Sequence, residues 1–147
     1  MGDVMDTKKL ISEGYRMFAE GDLKGLLERY YDDAELINPE SDYLPFQGSY
    51  HGKQQIAEFF TALNQTAQCT RLEPKTMVAE GDTVVVTGDS SWIARSTGIS
   101  YDNPFVHVFK MRDDKVVSQR AYYDTSKLEH ALQPATAGQP AGAPLHH

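Results

Sequence analysis

A chain of 147 residues, 40% hydrophobic and 10% aromatic, is long enough to bury one core and too apolar to stay disordered. Its formal net charge of −7, with no basic stripe to offset it, opposes phosphate backbones and anionic lipid, so neither nucleic acid nor a membrane is an expected partner. The single cysteine, Cys69, has no internal disulfide to make, and the N-terminus lacks a charged-then-apolar signal pattern, so a cytoplasmic location is expected.

Leu10, Ile11, Gly14, Met17 and Phe18 recur at helical spacing and predict a first helix from Thr7 to Glu20, stopped at Gly21. Asp22 offers an N-cap to a second helix with Leu23, Leu26, Leu27 and Tyr30 on one face. "AELIN" reads as a short strand, and "PESDYLPFQGSYHG" as a loop whose Tyr43, Phe46 and Tyr50 cover apolar surface. "KQQIAEFFTAL" is a third helix with Ile56, Phe59, Phe60 and Leu63 inward.

The period then changes. "CTRLEPKTMVAE", "DTVVVTGDSSWIAR", "NPFVHVFKM" and "KVVSQRAYYD" are strand-like runs joined closely enough to predict an antiparallel meander. "DTSKLEHAL" opens a closing helix, where Ser126 and Glu129 fit a capping box and Asp124 is structural. After Leu132, "QPATAGQPAGAPLHH" is rich in proline and glycine and reads as a mobile tail. Helices first and strands afterwards give an α+β domain over 1–132, with a disordered tail over 133–147. His51, His107 and His130 lack ligand spacing and no Gly-rich phosphate loop occurs, so neither a metal nor a cofactor is expected.

Three stretches, "FAEGDLKGLLERYYDDAELINP", "QGSYHGKQQIAEFF" and "VFKMRDDKVVSQRAYYDTSKLEHAL", resemble the nuclear transport factor 2-like superfamily. That superfamily includes SnoaL-like polyketide cyclases, ketosteroid isomerases and limonene-epoxide-hydrolase-like enzymes. The resemblance runs from Thr7 to Leu132 and implies a cone: a curved antiparallel sheet with three N-terminal helices on its concave face. It also implies a homodimer.

Carried over position by position, the resemblance puts Asn38 where isomerases hold a general-base aspartate, and an amide cannot take that proton. His107 falls where the cyclases carry a histidine. The acid that works with it falls at Ala121, and the isomerases' oxyanion tyrosine falls at Gly14, beside Tyr15. Matching the family also turns Asp89 and Ser91 inward, together with Phe105, His107 and Phe109 and with Gln119, Ala121 and Tyr123. This requires "RDD" to be a three-residue hairpin loop; a two-residue loop would bring Arg120, Tyr122 and Asp124 to the inner face instead.

On this reading His107 and Asp89 form the catalytic pair, the carboxylate raising the imidazole into the neutral range and fixing its tautomer, unless a bulge in "GDSSW" turns Asp89 outward as a structural residue. Asn38, Tyr15, Phe59, Trp92, Gln119 and Tyr123 line a pocket for a small apolar or polycyclic molecule. Two functions are compatible with this set. One is a cofactor-free isomerase, cyclase or hydrolase working by acid/base chemistry. The other is a non-catalytic ligand-binding or dimerisation domain.

Overall fold

The structure is a computed structural model and describes residues 4–133. The tail expected at 133–147 therefore lies, apart from Gln133, outside the described residues.

Helix α1 (Val4–Glu20) ends at Gly21, whose φ of 79° suits a residue without a Cβ. Asp22 then caps α2 (Leu23–Leu27), its carboxylate accepting the Gly25 N–H at 2.9 Å. Strand β1 (Tyr30–Ile37) begins at Tyr30 rather than at Ala34, which removes Tyr30 from the second helix and buries it in the sheet. Two short strands, β2 (Ser49–His51) and β5 (Ser100–Asp102), form inside segments expected to be loops. Between them lie α3 (Gly52–Thr66), β3 (Ala67–Glu80) and β4 (Thr83–Ala94). Strands β6 (Phe105–Arg112) and β7 (Lys115–Tyr123) and helix α4 (Thr125–Ala131) complete the order. Asp124, not Ser126, caps α4, accepting the Ser126 N–H at 3.0 Å and its hydroxyl at 2.7 Å. Glu129 instead accepts a hydrogen bond from Ser41 at 2.6 Å.

The strands lie in the order β2-β1-β7-β6-β4-β3, with β5 on the side of β4. The expected all-antiparallel sheet is corrected in one place: β1 runs parallel to β7. These two strands are far apart in sequence, so no hairpin turn imposes an antiparallel pairing on them. The curved sheet and the helices packed on it enclose the core, in which Leu36, Val84 and Val86 meet Ile11, Ile56 and Phe59.

The β6–β7 hairpin reaches the expected facing by an unexpected route. Its loop has two residues, Asp113 and Asp114, at φ 52° and 66°, the left-handed conformations of a tight hairpin turn. Alone, that turn would put Arg120 and Tyr122 on the inner face. Val117, however, is an extra residue between Val116, paired with Met111, and Ser118, paired with Lys110. This bulge restores the parity. Phe109 then faces Gln119, His107 faces Ala121 and Phe105 faces Tyr123.

Gly88 is the tightest point of this arrangement. A Cβ there would stand 2.5 Å from the Glu73 carbonyl oxygen and 2.7 Å from Cζ of Phe105. Gly88→Ala should therefore lower stability by about 1–3 kcal/mol, because neither a strand backbone nor a packed ring can give way cheaply. Urea unfolding measures this, and an unchanged midpoint would contradict the close approach.

Candidate functional site

The concave side of the sheet and the helices enclose a cavity of about 150 Å³. Its wall is mostly apolar, with Phe18, Leu36, Phe46, Phe59 and Phe60 among the lining side chains. Arg29 and Asp114 also line it, and both are solvent-accessible. Arg29 is tied to Glu13 by a 2.8 Å ion pair. Among the described residues, Asp114 is the one carboxylate on the wall.

Strand alternation brings Phe105, His107 and Phe109 to the same face of β6. The imidazole lies 4.5 Å from the Phe105 ring centre and edge-on to Phe109 at 5.9 Å. From α1, Tyr15 lies parallel to it, with an interplanar angle of 5° and centroids 5.7 Å apart. The Tyr15 hydroxyl is 2.6 Å from Nδ1 of His107. Burial depresses the His107 pKa from 6.5 to about 4, so the imidazole is neutral at physiological pH. Burial pushes the Tyr15 phenol well above its ordinary range, so it keeps its proton. Two arrangements satisfy this contact: the phenol donates to Nδ1 and the imidazole proton sits on Nε2, or Nδ1–H donates to the phenol oxygen and Nε2 is an acceptor.

Three more polar groups line the wall. Tyr30 donates its hydroxyl to Oε1 of Gln119. Tyr123 makes a long contact with Asn38 Oδ1, at 3.5 Å. Trp92 Nε1–H donates to Ser90 Oγ at 2.7 Å, and the Ser90 hydroxyl donates to the Asn103 carbonyl at 2.7 Å. Two buried side-chain atoms among the described residues lack a partner, Asn38 Nδ2 and Asn103 Oδ1. Both residues line the cavity.

Seven of the residues expected at the site do line it: His107, Asn38, Tyr15, Phe59, Trp92, Gln119 and Tyr123. Asp89 does not, and its inward placement is corrected. Val84 and Val86 are fully buried, so alternation turns Gly88, Ser90 and Trp92 inward and puts Asp89 and Ser91 on the convex face. The register shifts beside this stretch fall at Thr70 and Lys75 of β3, not within "GDSSW". On the convex face Asp89 meets Lys75 at 2.7 Å, and that ammonium holds its carboxyl below the usual range. His107 therefore has no carboxylate from Asp89 to raise its pKa, and the expectation of a histidine titrating near neutrality is reversed.

Ser90, Asn103, Tyr30 and Tyr101 were missed as lining residues. Counting back by twos from Phe105 reaches Asn103, and counting on from Val86 reaches Ser90, so alternation carried the signal for both. Tyr30 carried none while it was assigned to a helix.

With this geometry in view, residues 11–119 match the family model of the SnoaL-like domain. The chain belongs to the SnoaL-like domain family. Among solved structures, a nuclear transport factor 2-like protein from Burkholderia xenovorans LB400 is 27% identical, with a TM-score of 0.78. That match covers 89% of this chain and 98% of the other. TerC, co-crystallised with polyporic acid, is 28% identical with a TM-score of 0.77, over 86% of this chain and 97% of its own. A nuclear transport factor 2-like protein of unknown function from Burkholderia pseudomallei K96243 shares the fold, with a TM-score of 0.80 at 24% identity and coverage of 87% and 98%. No curated protein matches the chain.

The depressed His107 pKa fixes a pH dependence of stability. The unfolded chain takes up this proton near pH 6.5 and the folded chain only near pH 4, so the folded state is the less protonated one between them. The stability linked to His107 is thus complete above pH 6.5 and declines as pH falls to about 4, by about 3 kcal/mol in all. Urea unfolding across that window should show the decline in the wild type and a flatter profile in His107→Leu. Equal slopes would mean that the imidazole is hydrated in the fold.

Proposed function

We propose that this SnoaL-like domain binds a small uncharged molecule with a largely apolar body and a carbonyl group, and acts on it without a cofactor as an isomerase or cyclase. The observation that carries this is the Tyr15–His107 pair, held at 2.6 Å on the wall of an apolar cavity. In this reading the phenol donates to Nδ1, the Nε2–H is the donor left for a ligand, and a carbonyl oxygen is the acceptor that suits it. A neutral N–H in a site away from water stabilises negative charge developing on that oxygen, and the proton that enolisation takes from carbon goes to Asp114, the one carboxylate on the wall among the described residues. Asn38, Gln119 and Tyr123 supply further polar contacts, while Phe59 and Trp92 hold the apolar body. A cavity of about 150 Å³ takes a single aromatic ring, so a larger body would extend out of it. The similarity to TerC, a protein co-crystallised with a small organic molecule, supports a small-molecule occupant.

A second reading, a ligand-binding domain without turnover, has a specific observation behind it. Asp89, the carboxylate expected from sequence to orient His107 and raise its pKa, is on the opposite face of the sheet and pairs with Lys75. The phenol occupies Nδ1 and Nε2 already carries a proton, so the imidazole has no lone pair free to take one from carbon, and Asp114 is exposed at the hairpin turn.

We also propose a cytoplasmic homodimer paired through the convex face of the sheet. Val78 and Tyr122 are 57% and 51% exposed there, and a partner copy would cover them.

An aryl ketone such as 4-ethylacetophenone tests the reading. Bound to the wild type, its carbonyl stretch should move to lower frequency, and the shift should disappear in His107→Leu. Tyr15→Phe should reduce it, because the tautomer is no longer fixed. Exchange of the ketone's α-hydrogens with heavy water above the buffer rate, lost in His107→Leu, would support turnover. A shifted carbonyl with no exchange would favour the binding-only reading. An unshifted carbonyl in the bound ketone would overturn the role given to His107.

A further inference from the structure

Asn103 sits between β5 and β6, and the fold uses nearly every hydrogen-bonding group it has. Its backbone N–H donates to the Ser90 carbonyl at 2.8 Å, and its own carbonyl accepts the Ser90 hydroxyl at 2.7 Å. Its side-chain Nδ2 donates to the Asp124 carbonyl at 3.2 Å. A carbonyl only accepts, so this bond fixes which end of the amide is nitrogen and which is oxygen. The remaining atom, Oδ1, is buried without a partner, on a residue only 6% exposed that lines the cavity.

A buried acceptor held with no donor on its lone pairs is a costly feature for a fold to keep. The nearby polar groups do not relieve it. Ser90 directs its hydroxyl to the Asn103 backbone, and the Trp92 indole N–H is taken by Ser90 Oγ. Asn38, next to Tyr123 across the cavity, leaves its own Nδ2 open as well.

We propose that Asn103 is a specificity determinant of the pocket: its Oδ1 accepts a hydrogen bond from a hydroxyl group on the ligand, at an anchor separate from the Tyr15–His107 pair. The occupant is then an uncharged hydroxy compound with an apolar body, a phenol or enol rather than an ether or a plain hydrocarbon. A carboxylate or phosphate is disfavoured, because Oδ1 would face an acceptor and the imidazole is neutral. This assignment rests on the small-molecule reading of the cavity, and its test separates the two.

The probes are 4-ethylphenol and 4-ethylanisole, titrated calorimetrically against the full chain. They share a ring and a tail; the ether keeps an oxygen acceptor and loses the donor. The wild type should prefer the phenol by about tenfold or more, the scale expected when a buried acceptor is left unpaired by the wrong ligand. Asn103→Leu, close in shape but without the acceptor, should lose most of that preference, while Asp89→Asn, on the convex face, should keep it. Should Asn103→Leu fail to fold, the wild-type comparison still decides. Equal affinity for the two probes, or a preference that survives in folded Asn103→Leu, would overturn the role of Asn103 and leave the small-molecule reading standing. Binding of neither probe would overturn both.

Discussion

The arrangement of this pocket depends on the side-chain parity of β6 and β7 across a single bulged hairpin. A two-residue turn at Asp113 and Asp114 sets one phase, and the extra residue Val117 resets it. Because side chains alternate, every later residue of β7 owes its facing to that insertion. With it, Gln119, Ala121 and Tyr123 look into the hollow opposite Phe109, His107 and Phe105, while Arg120 and Tyr122 look out. Without it, a guanidinium would be driven toward an apolar core, so the hydrophobic effect and the desolvation cost of Arg120 favour the same register.

That parity also explains the electrostatic character of the cavity. His107 packs among Phe105, Phe109 and Tyr15, and the carboxylates that could have charged it lie elsewhere. Asp89 is paired with Lys75 on the convex face, and Asp114 is exposed at the turn. An imidazole without a counter-charge is kept neutral by its surroundings, and neutrality makes its N–H a steady donor instead of a titrating switch. Apart from Arg29 and Asp114, the polar wall is accordingly built from phenols, amides, a hydroxyl, an indole N–H and the neutral imidazole. Such groups recognise an uncharged ligand by the direction of its hydrogen bonds.

Much of the scaffold was legible in the chain. The helical spacing of Leu10 to Phe18, the cap at Asp22 and the apolar faces of α3 and β6 depend on near neighbours, and all appear as expected. Tyr30 was misplaced because its period fits a helix face locally, whereas pairing with Val116 of β7 draws it into a strand. β2 and β5 were missed for the same reason, since three-residue strands exist only through partners distant in sequence.

The sequence by itself determined an α+β domain and put His107 on the same face of its strand as Phe105 and Phe109, because alternation within one strand is a local property of the backbone; that this face is the inner one was implied by the family resemblance. It could not determine the facing of Asp89, because "GDSSW" is polar on both sides and only the burial of Val84 and Val86 fixes the phase of β4. Nor could it determine the charge of His107. Desolvation is a sum over groups delivered by α1 and the strands around β6, and that sum exists only once the chain has closed over the ring. The open lone pair of Asn103 is tertiary for the same reason, since contacts from β4 and the start of α4 occupy the residue's other polar groups.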